Sequence, residues 1–264
     1  MTGKRHLLLF GLACLGMALA SPLSGQDAGA TARIRPRPGL GIEYFSRTLV
    51  WDEDLYTSKL KASIAVLRAE VIVQKGFSAA LLAGYNLSNF NGLIFRDLPF
   101  SLDYEAGSIG SIFWGAELEK DLFAVGNFEI GATAQFVMSL GSSKTFPITG
   151  LNEDGESEGK GSWNRIQGGP VVRFTGYENW TPFLSVAYNK LSGKFSMTET
   201  IADLAGTEEK SVKSKGIIGV TLGTIYEPSS VFRIRGEVTA LPYNTLGGSL
   251  DVDYGASLKV VFSF

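Results

Sequence analysis

Six carboxylates and six cations share one face of a series of alternating segments. Counted by twos, Glu43, Glu70, Glu117, Glu119, Glu129 and Glu237 fall on the same side as Arg68, Arg165, Arg173, Arg233, Arg235 and Lys259. In a strand, residues two apart share a face. When such a face is enclosed, mixed charges persist only if they are paired or hydrated. They either form an ion-pair network that fills the interior or line a narrow, charged pore. Glu237 and Arg235 beside Lys259 would serve either arrangement. The balance of six against six leaves no net charge to select an ion, so paired side chains, rather than a loop, are expected to block the interior.

Other chemistry is scarce. The only cysteine is Cys14 and the only histidine is His6, both near the N-terminus. Residues 21–264 therefore lack a thiol nucleophile, an imidazole base and Cys/His metal ligands. No catalytic residue, metal or cofactor is expected. The acidic run "NEDGESEG" places Glu153, Asp154, Glu156 and Glu158 close together. Its spacing matches no EF-hand loop, and a solvated loop is the expected role. Lys210, Lys213 and Lys215 are read in the same way, with lipopolysaccharide phosphates as the sharper alternative.

The elements that position these charges begin after a leader. Lys4 and Arg5 precede an apolar run from Leu7 to Leu19, and Ala18-Leu19-Ala20 gives an A-x-A cleavage site. This is the pattern of a secretory signal peptide over residues 1–20. Gly11 stands where a lipobox leucine would be, so Cys14 is not read as an acylation site. Residues 21–38 are small, polar and proline-rich, and are expected to form a flexible periplasmic leader. Removal of residues 1–20 takes Lys4 and Arg5, leaving 22 basic residues against 26 acidic ones, net −4. That balance argues against nucleic acid as a partner. No later stretch is long and apolar enough to be a transmembrane helix.

Ten long alternating segments follow, at about 40–47, 59–74, 77–87, 108–120, 128–140, 162–176, 183–189, 216–226, 231–241 and 252–264. In the fifth, Phe128, Ile130, Ala132, Ala134, Phe136, Met138 and Leu140 alternate with Glu129, Gly131, Thr133, Gln135, Val137 and Ser139. The connections alternate too. Short ones follow even-numbered segments, and long polar ones, including 88–107, 141–161 and 190–215, follow odd-numbered segments. An up-and-down barrel with both ends in the periplasm requires that order.

The apolar faces carry almost no charge. The opposite faces mix Ser, Thr, Asn and Gln with glycines such as Gly84, Gly115, Gly131, Gly169, Gly219 and Gly223. Glycine weakens a solvated strand but suits the crowded inside of a narrow closed barrel. Aromatic residues gather at both ends of the apolar faces. Phe77, Phe128, Phe174, Tyr226, Phe232, Phe262 and Phe264 lie beside the short turns, and Tyr85, Phe136, Tyr188 and Tyr254 lie toward the long loops. From Tyr254 to Phe264 a strand runs ~33 Å, which at a ~40° tilt rises ~25 Å, the height of a lipid-facing band.

The signal peptide, the ten amphipathic segments and the terminal "SLKVVFSF" resemble a bacterial outer-membrane β-barrel protein of the broad OmpA-like small-barrel group. The expected fold is all-β: a ten-stranded antiparallel transmembrane barrel over residues 39–264, located in the outer membrane. The resemblance implies that Tyr254, Leu258, Val260, Phe262 and Phe264 form the signal read by the barrel-assembly machinery. It also implies periplasmic chaperones during biogenesis and contact with outer-membrane lipid and lipopolysaccharide. A monomer with a structural or surface-interaction role is expected. The alternative is a small porin or a channel for a small solute or apolar ligand.

Overall fold

A computed structural model describes residues 36–51, 56–98, 102–104, 107–148, 155–245 and 247–263. The strands in chain order are β1 (Pro36–Trp51), β2 (Tyr56–Gln74), β3 (Phe77–Asn91), β4 (Leu93–Phe95), β5 (Leu102–Tyr104), β6 (Ile109–Val125) and β7 (Phe128–Ile148). They continue with β8 (Gly155–Phe174), β9 (Trp180–Ile201), β10 (Leu204–Ser214), β11 (Ile218–Ser229), β12 (Phe232–Asn244) and β13 (Leu250–Phe262).

Ten of these strands close into an antiparallel ring, in the order β1, β2, β3, β6, β7, β8, β9, β11, β12, β13. The seam is the β1–β13 ladder, from Gly39 opposite Val261 to Ser46 opposite Tyr254. Closure leaves the ring without a free edge at this level. The ten ring strands are the ten segments expected from alternation.

The short turns are set by local backbone chemistry. Gly76 closes the β2–β3 hairpin at φ 72°, and Gly126 sits at φ 59° between β6 and β7. Glycine takes this left-handed conformation without steric cost. Asn179 adopts φ 63° before β9, a conformation that asparagine tolerates better than most residues.

The strands are longer than the apolar alternation implies. Residues 141–161 and 190–215, expected as loops, are largely extensions of β7, β8 and β9, together with β10. Period-2 order persists there in polar form: Gly155, Ser157, Gly159, Gly161 and Trp163 are turned one way, with Glu156, Glu158 and Lys160 exposed on the other. Alternation of apolar residues stops where lipid stops, but the sheet continues. The 22 residues of β9 span ~70 Å and rise ~55 Å at a ~40° tilt, about twice the ~25 Å apolar band. The loop expected over 88–107 holds the end of β3 and a small hairpin of β4 and β5. At the other end, β1 begins at Pro36, inside the segment expected to be a leader. Residues 1–35 lie outside the described residues.

Above Ser46 the wall changes partners. β1 leaves β13 and pairs with β10, Leu49 opposite Ser214 and Val50 opposite Lys213. β10 is also the hairpin partner of β9. The ring therefore narrows on this side above the seam, bypassing β11, β12 and β13.

The outer face carries a continuous apolar band. Leu40, Ile42, Leu67, Leu81, Ile112, Leu184, Leu222, Val238 and Leu258 are exposed, Leu81 at 69%. Such a surface is too large and uniform for water. Aromatic pairs border it at the turn end: Phe128 with Phe174 at 5.2 Å, Trp180 with Tyr226 at 4.5 Å and Phe232 with Phe262 at 5.6 Å. Tyr44 with Tyr254 at 6.1 Å and Trp114 with Phe136 at 5.6 Å border the other side. These are the two belts of a transmembrane barrel.

Inward glycines make room for large side chains. A Cβ on Gly223 would lie 2.4 Å from Phe183 Cζ, and one on Gly161 would lie 2.7 Å from Phe90 Cε2.

Candidate functional site

The interior is the part of the molecule with chemistry to examine, and it is layered. The layer nearest the short turns is a vestibule of about 290 Å³ lined by Arg37, Glu70, Glu119, Asp121, Glu129, Arg173, Glu227 and Arg233, among others. Arg173 on β8 is paired with Glu119, with Asp121 at 2.8 Å and with Glu129 at 3.8 Å. Arg233 pairs with Glu227, and Arg37 lies 3.8 Å from Glu70.

The next layer crosses the barrel. Arg68 bonds Glu70 at 2.9 Å and Glu117 at 2.7 Å. Lys259 lies 3.4 Å from Glu117 and 3.5 Å from Glu237. Arg235 bonds Glu237 and Glu119, both at 3.0 Å. β12 and β6 are five strands apart in either direction round the ring. The Arg235–Glu119 pair therefore spans the lumen along a diameter. Arg235 also lies over the Phe183 ring at 4.6 Å, and Ser257 donates to Glu237 at 2.9 Å.

A second diametric strap lies above it. Arg165 on β8 is paired with Glu43 on β1, again five strands away in either direction. It also donates to Gln135 at 2.9 Å and stacks over Phe45 at 5.2 Å. Gln135 in turn donates to Glu117 at 3.0 Å, linking the two layers. The guanidinium group suits this geometry because its planar fork reaches several acceptors at once. The remaining space at this level is small, in cavities of about 30 and 50 Å³.

Toward the long loops the polar network gives way to an apolar core. Asn86 donates to Ser111 at 2.9 Å and Ser139 at 3.1 Å, and Trp163 Nε1 donates to Ser88 at 2.8 Å. Above them, Phe45, Leu49, Leu60, Phe90, Trp163, Leu191, Phe195 and Met197 are buried together. Leu93, Phe95 and Leu98, from β4 and the residues after it, complete this plug. The outer half of the lumen is thus closed by apolar packing that includes a loop. This corrects the expectation that the block is made mainly by paired side chains rather than by a loop. The network of ion pairs fills the inner half; above it the inward residues are mainly apolar, with Arg47, Glu199 and Glu208 also buried there, and the loop follows them inside.

The plug is fastened at the surface. Glu208 on β10 accepts from the backbone N–H of Arg96 at 2.8 Å and of Asp97 at 2.9 Å, and pairs with Lys210 at 2.6 Å. Burial opposes ionisation of Glu208, but Lys210 and these two N–H groups hold its carboxyl below the usual range. Lys210 sits 4.9 Å from the Trp51 ring, which stacks on Tyr56 at 4.7 Å. It is therefore engaged with Glu208 and the Trp51 ring. Glu156 and Glu158 face solvent on β8, and Glu153 and Asp154 lie outside the described residues. Among the described residues, no group of three or more His, Cys, Asp or Glu could hold a metal ion.

All twelve charges chosen from the sequence thus face the lumen or its mouth, each with an ionic partner. Several further participants were not chosen. Asp121 and Glu227 fell in segments read as turns, and Arg37 in the segment read as a leader. Arg47 is turned inward and 1% exposed; it lies two and four residues beyond Phe45 and Glu43, so simple alternation could have found it. On β13, Tyr254 and Leu258 are exposed on the lipid face, with Val260 and Phe262 partly so. The side chain of Phe264 lies outside the described residues.

No protein-family model matches the sequence, and no curated protein matches it. Among solved structures, the outer-membrane protease OmpT from Escherichia coli is similar at a TM-score of 0.50 and 11% identity, over 90% of this chain and 99% of that one. The translocator domain of the autotransporter NalP from Neisseria meningitidis gives 0.43 at 10% identity, over 96% of each chain. The monoaromatic hydrocarbon channel CymD gives 0.36 at 10% identity, over 87% of this chain and 88% of that one. The closed ring, the apolar band, the paired belts and the likeness to OmpT define the fold class as the outer-membrane β-barrel. Among the described residues, ten strands form its closed ring.

Proposed function

We propose that this is a non-enzymatic outer-membrane protein with a closed lumen, acting at the cell surface through the sheet that stands above the lipid. The observation that carries the reading is the stacked filling of the lumen: two diametric ion-pair straps beneath an apolar plug. A barrel serving as a pore would not bury Leu93 and Phe95 across its outer mouth. The raised part of β7, β8, β9 and β10 offers a broad polar face. One rung runs Thr145, Glu158, Thr198, Thr207, with Thr198 and Thr207 hydroxyls 2.9 Å apart.

Fold does not carry function, so protease activity is not transferred from OmpT. Residues 21–264 contain no histidine to act as a base near neutral pH. On this reading the chain is a monomer. Its partners are outer-membrane lipid and lipopolysaccharide, with the barrel-assembly machinery and periplasmic chaperones acting during biogenesis. Cysteine introduced at Lys160 should react with a membrane-impermeant maleimide on intact cells, and cysteine introduced at Lys75 should not. Proteoliposomes should resist swelling in small sugars. Labelling at Lys75 alone would invert the orientation, and rapid swelling would favour the small-porin alternative.

A further inference from the structure

The outer face of the raised sheet is sorted by charge. Directly above the lipid band, Lys190 and Lys194 on β9 and Lys213 on β10 are exposed. Lys190 stands one rung above Tyr188 of the outer aromatic belt and opposite Ile166, which is 40% exposed at the lipid boundary. Lys213 is opposite Ser192, and Lys194 is flanked by Ser162 and Ser211. The next rung carries Lys160 and Glu209 on either side of Ser196, and Glu158 and Glu156 lie farther up β8. Cations thus gather beside the lipid, and most carboxylates stand away from it.

We infer that this face of β8, β9 and β10 binds the phosphorylated sugar headgroup of an outer-leaflet glycolipid, the chemistry of lipopolysaccharide. The inference rests on the reading that the raised sheet faces the cell exterior, and it assigns a site to the lipid contact proposed there. Among the described residues, the first four outward rungs above Tyr188 hold four lysines against Glu209, which Lys194 bonds at 2.5 Å. On β7 the outward neighbours Ser143 and Thr145 are uncharged. Beyond β10, Lys59 and Arg47 stand against Asp251 and Asp253, two against two. The neighbours therefore leave the positive excess in place. Glu158 is opposite Thr198, ~13 Å along the strand from Lys194 and beyond a Debye length of ~8 Å.

Height separates a glycolipid from a phospholipid. From Lys190 to Lys194 the strand runs ~13 Å and rises ~10 Å at a ~40° tilt. The polar layer of a phospholipid leaflet is only about 5–8 Å deep, so a phosphate there meets Lys190 but not Lys194. A phosphorylated sugar headgroup spans both. Ser162, Asn164, Ser192 and Ser211, interleaved with the lysines, offer it hydroxyl and amide partners. Below them, Ile166, Val186 and Ile218 present exposed apolar surface to its acyl chains.

The test uses the full-length protein in detergent, with diphosphorylated lipid A as the probe and phosphatidylglycerol as the comparison. Native mass spectrometry should show lipid A retained in preference. Lys190→Ala, Lys194→Ala and Lys213→Ala combined should lower its retention about tenfold or more, and Glu156→Gln with Glu158→Gln should not. If the triple variant does not fold, reductive methylation of the unaltered chain decides: lipid A should protect Lys190, Lys194 and Lys213 but not Lys75. Equal retention by the unaltered and triple chains, equal protection at Lys75, or equal retention of phosphatidylglycerol overturns the inference. Labelling of intact cells at Lys75 alone would overturn it together with the proposed function, whereas ion conductance would defeat the proposed function and leave this site standing.

Discussion

The Arg165–Glu43 strap predicts an asymmetric response to substitution. Arg165 is 4% exposed and Glu43 is 17% exposed at the side chain. Glu43→Ala strands a buried guanidinium that keeps only Gln135 and the Phe45 ring. Removal of one partner from a buried pair costs about 3–5 kcal/mol, and this variant should fall in that range. Arg165→Ala leaves a carboxylate with more access to water and with Arg47 nearby, so its loss should lie at or below ~3 kcal/mol. Glu43→Leu combined with Arg165→Met replaces both charges by apolar groups and should return to within ~1 kcal/mol of the unaltered protein. For a chain of this size ~4 kcal/mol corresponds to a melting shift of roughly 8–16 °C. Heat-modifiable gel mobility in detergent and lipid reads the shift directly. If Glu43→Ala melts with the unaltered protein, or if the double variant is no better than the worse single one, the strap is not an ion pair held in a dry lumen.

Three other outcomes follow from the same structure. Val238→Arg places a charge on the lipid face near mid-strand and should cost about 2–4 kcal/mol in lipid bilayers, whereas Lys160→Glu on the raised polar sheet should leave folding unchanged; both are read by refolding yield into vesicles. Phe195→Ala empties part of the plug and should cost about 3–5 kcal/mol, measured by the same gel assay. The carboxyl of Glu208 is held below its usual range when folded. Its contribution is therefore complete above the unfolded carboxylate range and is lost as pH falls through the folded value. Relative to the intrinsic exchange rate at each pH, protection of the Arg96 and Asp97 amides should fall in acid, and Glu208→Gln should lack that protection at neutral pH too. Equal protection at both pH values in the unaltered chain contradicts the fastening role.

Much of the barrel is legible in the sequence because lipid imposes a simple code. Where one face meets hydrocarbon, apolar and small residues must alternate, and the ten ring strands follow directly from that pattern. The inward charges at Glu117, Arg235 and Lys259 are equally plain, since a charge on the other face would meet lipid. The code lapses outside the bilayer. Along Gly155–Trp163 both faces are small or polar, so the strand reads as a loop although every second residue is buried. The partners across the lumen cannot be read at all. Arg235 and Glu119 are 116 residues apart, and only closure of the ring brings β12 opposite β6. The plug is hidden for a related reason: Leu93, Phe95 and Leu98 lie in a short apolar run within a long connection, and nothing local says that it folds inward.

The central claim is that the lumen is closed along its length, by ion pairs in the inner half and apolar packing in the outer half. Single-channel recording of the purified protein in planar bilayers tests it most directly. The account predicts no unitary current steps for the unaltered chain across moderate voltages. Small steps should appear when Phe195→Ala and Trp163→Ala are combined with Arg235→Ala. Regular, ion-selective steps from the unaltered chain would contradict it.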